Sequence, residues 1–233
     1  MPAAPDSPRK VVLYGREELA RLVWYCLTHD SPREVAGFTV AEAEMPAETR
    51  GGAGALHDLP LVPFERLEDH FPPERHDLLI AIGPHQANAP RAQRYAEGLA
   101  RGYRFARYLS TRARLWPDLE VGPGSMIFEN VVIEPFSRVG ANSVLRANVH
   151  VSHDGRIGDH AFLAPRVALA GCCSVGDRCF LGVNTTLRDK VSVAPGCVVG
   201  AGAVVAKATE PDGLYVGVPA KRVGAAGDVK IWP

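Results

Sequence analysis

The 233-residue chain has no excess charge of either sign: 26 Lys and Arg balance 26 Asp and Glu, and the isoelectric point lies near 7.1. A neutral chain without a basic run is a poor ligand for nucleic acid or an anionic membrane surface, so neither partner is expected. No apolar run approaches the ~18 residues that a membrane span needs, which argues against membrane insertion. Met1 to Lys10 carries Pro and charge but no apolar centre, so no signal peptide is expected there. The five cysteines form neither a C-x-x-C pair nor a His/Cys zinc spacing. They read as small apolar side chains of a reduced, cytoplasmic protein. Disorder is excluded by a 46% hydrophobic content. Gly (23) and Pro (19) exceed their ordinary combined share of about 12%, which points to a turn-rich architecture.

Two different periods divide the chain. From Lys10 to about Arg112 short apolar runs alternate with helical patterns. Val11-Val12-Leu13-Tyr14 reads as a buried strand ending at Gly15, and Leu19, Leu22, Val23, Cys26 and Leu27 recur at helical spacing after the acids Glu17 and Glu18. Further strands are predicted at Val35 to Val40, Leu61-Val62, Leu78 to Ile82 and Tyr103 to Leu109. Short helices are predicted around Phe64 to His70 and from an Asn88 cap, with Pro90 in the first turn, to about Ala100. Ala41 to Asp58 reads as a surface loop. This order implies an α/β domain with a small parallel β-α-β sheet, Rossmann-like, over 10–112.

The second half repeats every six residues. Hexads counted from Val121 begin with Val121, Ile127, Ile133, Val139, Leu145, Val151, Ile157, Leu163, Leu169, Val175, Leu181, Leu187, Val193, Val199 and Val205, all aliphatic. The fifth position is always small or Val and includes Cys173, Cys179 and Cys197. The second is often Gly, which eases tight backbone geometry. Leu115 and Leu119 suggest one more hexad at the front. A period of six held for this long is a solenoid whose coils bury a face only against their neighbours. Three hexads to a triangular coil give five coils, a left-handed parallel β-helix over 113–212 followed by a tail at 213–233.

Three motifs sharpen this: Val151-Ser152-His153-Asp154-Gly155-Arg156-Ile157-Gly158-Asp159, Cys179-Phe180-Leu181-Gly182-Val183-Asn184, and Gly217-Val218-Pro219-Ala220-Lys221. With them the chain resembles, over nearly its whole length, hexapeptide-repeat bacterial sugar-nucleotide acetyltransferases of the PglD and NeuD type. The resemblance implies an acetyl-CoA-dependent transferase, a homotrimer with active sites between subunits, and a nucleotide-linked amino sugar held mainly by the N-terminal domain, serving surface-polysaccharide or glycan synthesis. His153 would be the general base and Asp154 its acidic partner. An imidazole near its ordinary pKa of about 6.5 suits that task. The read-across gives Gly171 as either the oxyanion donor or a corner glycine, and Gly182, Val183, Asn184, Gly200, Ala201 and Gly202 as CoA contacts. Lys221 and Arg222 would meet CoA phosphates or form a solvated tail. His150 would touch substrate or make packing contacts, and His160 would lie on the surface.

Departures from the family pattern fall mostly on the acceptor side. Many relatives carry a second histidine nine residues after the first, near the acetyl group; this chain has Phe162, which the resemblance makes a candidate acetyl-CoA contact that would crowd the acyl pocket. Gly15 and Arg16 stand where relatives have a longer glycine-rich turn, and Thr39-Val40-Ala41 where they have paired acids. Gly83 and His85 remain as substrate-binding candidates. Amine and hydroxyl acceptors stay open. Two other readings are a zinc hydratase built on His150, His153 and His160, which lack the H-x4-H spacing it needs, and a non-catalytic trimeric scaffold. No resident metal is expected.

Overall fold

The structure, a computed structural model, describes residues 9–49 and 54–229. The expectations for Met1 to Pro8, for 50–53 of the surface loop and for 230–233 of the tail fall outside the described residues.

The N-terminal part runs β1 (Lys10–Tyr14), α1 (Glu18–Asp30), β2 (Val35–Val40), β3 (Gly54–Leu56), β4 (Leu59–Pro63), α2 (Leu67–His70), β5 (His76–Ile80), α3 (Ala89–Ala100) and β6 (Arg104–Phe105). These strands form one sheet in the order β3-β4-β2-β1-β5-β6, parallel except for β3. Val11, Val12 and Leu13 are fully buried because the central strand is covered on both sides. Two expectations change here. The segment read as a plain loop contains 3-10 turns at Glu42–Glu44 and Ala47–Thr49 and the edge strand β3. The last predicted strand is two: β6 joins this sheet, while β7 (Tyr108–Leu109) is already the first rung of the solenoid.

The solenoid is a left-handed β-helix with three faces of stacked two-residue strands. Ile127 pairs with Leu145, that residue with Leu163, then Leu181, then Val199, so one coil takes 18 residues. The hexad frame extends forward to Leu115 and Leu109. First and fifth positions point inward: Ile133, Leu145, Val151, Leu163, Val131, Val149, Ala161 and Cys179 are buried in one cluster. Each fully buried aliphatic stabilises by about 1.5–3 kcal/mol, so a polar side chain there would be strongly disfavoured.

Sequence reading missed the corner rule. The fourth position is left-handed from Gly124 to Gly202, with φ of 58° at Asn130, 50° at Asn142, 57° at Asp154, 57° at Cys172 and 59° at Asn184. Second-position glycines have a different reason: a Cβ on Gly182 would lie 2.6 Å from the Ala201 nitrogen of the next coil. Cys173, Cys179 and Cys197 are inward as expected and donate to carbonyls at 3.0, 3.0 and 3.1 Å. Cys172 is not: it is exposed.

The first face carries Tyr108, Met126, Val144, Phe162, Phe180 and Val198 at the sixth hexad position. This apolar stripe docks on the N-terminal domain, where Tyr108, Met126, Val144 and Phe162 share a core with Val23, Cys26 and Leu27 of α1. Polar groups fasten the seam. Asp30 accepts from Tyr108 Oη (2.9 Å), Ser110 Oγ (2.6 Å) and Thr111 N–H (3.2 Å). Arg91, fully buried, donates to Asn142 O (2.5 Å) and Asn88 Oδ1 (3.3 Å) and has no ion pair among the described residues. Asn88, expected to cap α3, has φ of 61° and makes no cap; its Nδ2 donates instead to the Arg178 and Cys179 carbonyls.

Candidate active site

The second face, Arg114–Leu115 to Val204–Val205, ends each rung in a turn toward the third face. Four such turns stack at one edge: 134–136, 152–154, 170–172 and 188–190. His153 occupies the third position of its hexad, outward and about half exposed, and its Nδ1 donates to Asp154 Oδ2 at 2.9 Å. Asp tolerates the left-handed position that Asp154 fills, so the carboxylate is aimed without side-chain strain. With the proton held at Nδ1, Nε2 is the acceptor. The hydrogen bond to Asp154, that carboxylate's charge, and the charges of Glu134 and Asp189 together push the imidazole pKa above its ordinary value, against a smaller desolvation effect.

Glu134 orders this corner from the coil before. Its Oε2 accepts the His153 N–H at 2.9 Å, while Oε1 lies 3.3 Å from His150 Nε2, which also meets Ser152 Oγ at 3.2 Å. His150 is thereby tied to Glu134 and Ser152 beside the pair. Gly171, in the next coil, packs against the imidazole: a Cβ there would stand 2.7 Å from His153 Nε2. Its N–H, for which an oxyanion role and a plain corner role are both open from the sequence, is engaged by Asp189 Oδ1 at 3.0 Å. The same device recurs elsewhere, with Asp159 accepting from Ala141 and Asp177 from Asp159.

Glu134, Cys172 and Asp189 were missed in the hexad reading. The signal was the 18-residue coil: 134 stacks beneath 152, 172 above 154, and 189 above 171.

The remaining candidates sit elsewhere on the coil. Gly182, Val183 and Asn184, with Gly200 and Ala201 stacked on them, form the edge between first and second faces; Val183 is 42% exposed. Lys221 opens the antiparallel closing strand and is exposed, while Arg222 pairs with Glu210 at 2.6 Å. Phe162 is not beside His153. It is 4% exposed in the domain seam, with Phe180 at 5.9 Å and the Arg91 guanidinium over its ring, because its sixth-position register puts it on the first face. His160, expected on the surface, is half-buried in the same seam: Nδ1 meets Asn142 Nδ2 at 2.9 Å and the ring stands edge-on to Tyr95. Burial lowers its pKa. His150, His153 and His160 thus do not converge within the described residues of one chain.

At the N-terminal domain, Gly15 and Gly83 follow the carboxyl ends of β1 and β5, where the strand order turns outward in both directions and α/β sheets open a ligand crevice. Gly15 has φ of 130°, and a Cβ would be 2.6 Å from Ala81 O. His85 lies against Gly83, while Arg16 Nε reaches Glu17 at 3.2 Å. A separate cleft of about 790 Å³ along the third face is lined by Arg107, Glu120, Arg138, Arg156, Asp159 and Asp177 among others, and does not include His153.

Residues 173–207 match a family model described as a hexapeptide repeat of succinyl-transferase. No curated protein matches the chain. Among solved structures, a histidine-to-asparagine mutant of perosamine N-acetyltransferase from Caulobacter crescentus, in complex with CoA and GDP-perosamine, is 27% identical with a TM-score of 0.82, covering 94% of this chain and 98% of that one. PerB from Caulobacter crescentus, in complex with the same two compounds, is 27% identical at TM-score 0.81, covering 94% and 99%. The acetyltransferase domain of PglB from Neisseria gonorrhoeae shares the fold at 20% identity and TM-score 0.80, covering 92% and 100%. In repeat, architecture and likeness the chain is thus similar to hexapeptide-repeat sugar N-acetyltransferases, a resemblance of the PglD and NeuD type.

Proposed function

We propose that the chain transfers an acetyl group from acetyl-CoA to an amino group of a nucleotide-linked deoxy amino sugar, with His153 as general base. The observation that carries this reading is the His153–Asp154 pair, exposed, with its Nδ1 proton held by Asp154 and Nε2 turned to Gly171. Acetyl-CoA, when bound, supplies the acyl group as a thioester. His153 Nε2 takes the proton that the acceptor amine loses as its nitrogen bonds to the carbonyl carbon, and returns it to the departing thiolate. Asp154 holds the tautomer and stabilises the imidazolium. The Gly171 N–H meets the charge developing on the carbonyl oxygen once it leaves Asp189. Gly182, Val183, Asn184, Gly200 and Ala201 contact CoA, and Lys221 its phosphates. Gly15, Arg16, Gly83 and His85 contact the nucleotide sugar, with His150 beside the acceptor.

The divisions 10–112, 113–212 and 213–233 give a sugar-binding domain, a transfer domain and a tail. His153 stands on the edge between second and third faces, opposite the first face that the N-terminal domain of its own chain covers. A sugar held in that domain is thus on the far side of the solenoid from its own His153, which favours a homotrimer whose active site lies between neighbouring chains. No helix among the described residues is long and apolar enough to cross a membrane; a cytoplasmic location fits a CoA-dependent reaction.

Incubating the protein with acetyl-CoA and a panel of UDP-, dTDP- and GDP-linked amino sugars, followed by mass spectrometry, tests the proposal. Acetylated product that disappears with His153→Ala is expected. Acetylation confined to sugars lacking an amine would move the reading to a hydroxyl acceptor, and a monomer by light scattering would overturn the shared site.

A further inference from the structure

At the edge that carries His153, the stacked coils bring together three side chains of different donor chemistry. Asp154 and Cys172 occupy the same left-handed fourth position of successive coils, fixed in register by the Cys172 N–H donating to His153 O at 2.9 Å. A ring nitrogen of His153, a carboxylate oxygen of Asp154 and Cys172 Sγ lie within 4.8 Å of one another, and all three residues are exposed. This is the one cysteine placed outside the packed interior. Nothing in the proposed transfer uses its thiol.

We propose that His153, Asp154 and Cys172 form an inhibitory site for Zn²⁺ or a similarly soft divalent cation. One nitrogen, one carboxylate oxygen and one thiolate sulfur are the donor types Zn²⁺ prefers, and three protein ligands leave a fourth position for water. Neighbouring donors of a tetrahedral zinc lie about 3.3–3.8 Å apart, given bonds of about 2.0 Å to nitrogen and 2.3 Å to sulfur. Rotation of the exposed Cys172 side chain closes the remaining gap. Glu134 holds the His153 backbone from the other side, so the histidine need not move. Binding releases the Sγ proton to solvent.

Rate control follows from the same geometry. A cation on Nε2 occupies the lone pair that would accept the substrate proton. A cation on Nδ1 displaces the Asp154 hydrogen bond and leaves the ring proton on Nε2. Either way the imidazole cannot act as the base, so the cation and catalysis are mutually exclusive. This consequence rests on the transferase reading above; the cation site itself does not.

The test uses chelator-stripped, reduced, full-length protein and two readouts. Titration with Co²⁺ is expected to give a thiolate-to-cobalt charge-transfer band in the near ultraviolet, saturating at one ion per chain and bleached by Zn²⁺. Cys172→Ser should abolish the band, and His153→Ala should weaken binding at least about tenfold. In transfer assays Zn²⁺ should inhibit the wild type, whereas Cys172→Ser should keep its metal-free rate and need at least about tenfold more Zn²⁺. Absence of the band in wild type, or a band that persists in Cys172→Ser, overturns the site even if transfer is intact. A band present with no transfer to any sugar supports the site and counts against the transferase reading.

Discussion

Gly171 and His153 are in such close register that the smallest side chain at 171 would collide with the imidazole, at 2.7 Å from Nε2 and 2.9 Å from Cε1. Gly171→Ala should therefore leave the solenoid folded and swing the base aside. Since a displacement of about 1 Å can cost on the order of 100-fold in rate, we expect kcat to fall by about that factor with little change in thermal stability. An unchanged kcat in steady-state assays would mean that His153 is not the base.

Asp154 raises the His153 pKa, and the sign of the pH effect follows. Transfer needs the neutral imidazole, so activity is lost as pH falls through the raised pKa, above the ordinary value of about 6.5. Asp154→Asn keeps a residue that tolerates the left-handed corner but removes the charge. Its acid limb should shift to lower pH while its plateau rate drops. A pH–rate profile checks both, and an acid limb that stays in place would separate Asp154 from the base.

Asp189 holds the Gly171 N–H that the proposed mechanism gives to the developing oxyanion. Asp189→Ala frees the Gly171 N–H, and kcat should rise a few-fold if that N–H faces the thioester carbonyl. An unaltered rate alongside an unaltered fold would leave Asp189 as one more member of the Asp159 and Asp177 ladder.

Phe162 separates packing from acyl recognition. Buried among Phe180, Arg91 and the α1 core, it should cost about 3–5 kcal/mol when truncated to Ala. The milder Phe162→Leu should lower stability in denaturant titration without changing KM for acetyl-CoA. A raised KM at unchanged stability would return Phe162 to the acyl pocket.

The hexad period made the solenoid, its inward positions and the outward placement of His153 legible from the chain alone. What it hid has period eighteen. Sixth positions look mixed when read in order, but every third one gives Tyr108, Met126, Val144, Phe162, Phe180 and Val198 on one face, against Glu120, Arg138, Arg156, Ser174 and Ser192 on another. Only the first can dock a domain, and that is why Phe162 and His160 were misplaced. Asn88 escaped for a different reason: its partners lie 90 and 91 residues away, and its helix-cap signature is a local one.

Eighteen residues per coil also makes the solenoid a ruler. Successive coils are separated by the spacing of hydrogen-bonded strands, about 4.8 Å. A duplication of one full coil between His153 and Gly182 would move the proposed base and the proposed CoA edge apart by a single graduation and leave every side chain on its own face. Six added residues would instead keep inside and outside intact but carry the Gly182 turn to the next edge. The spacing between the two halves of the site is thus quantised, and variants that tune it must come in whole coils.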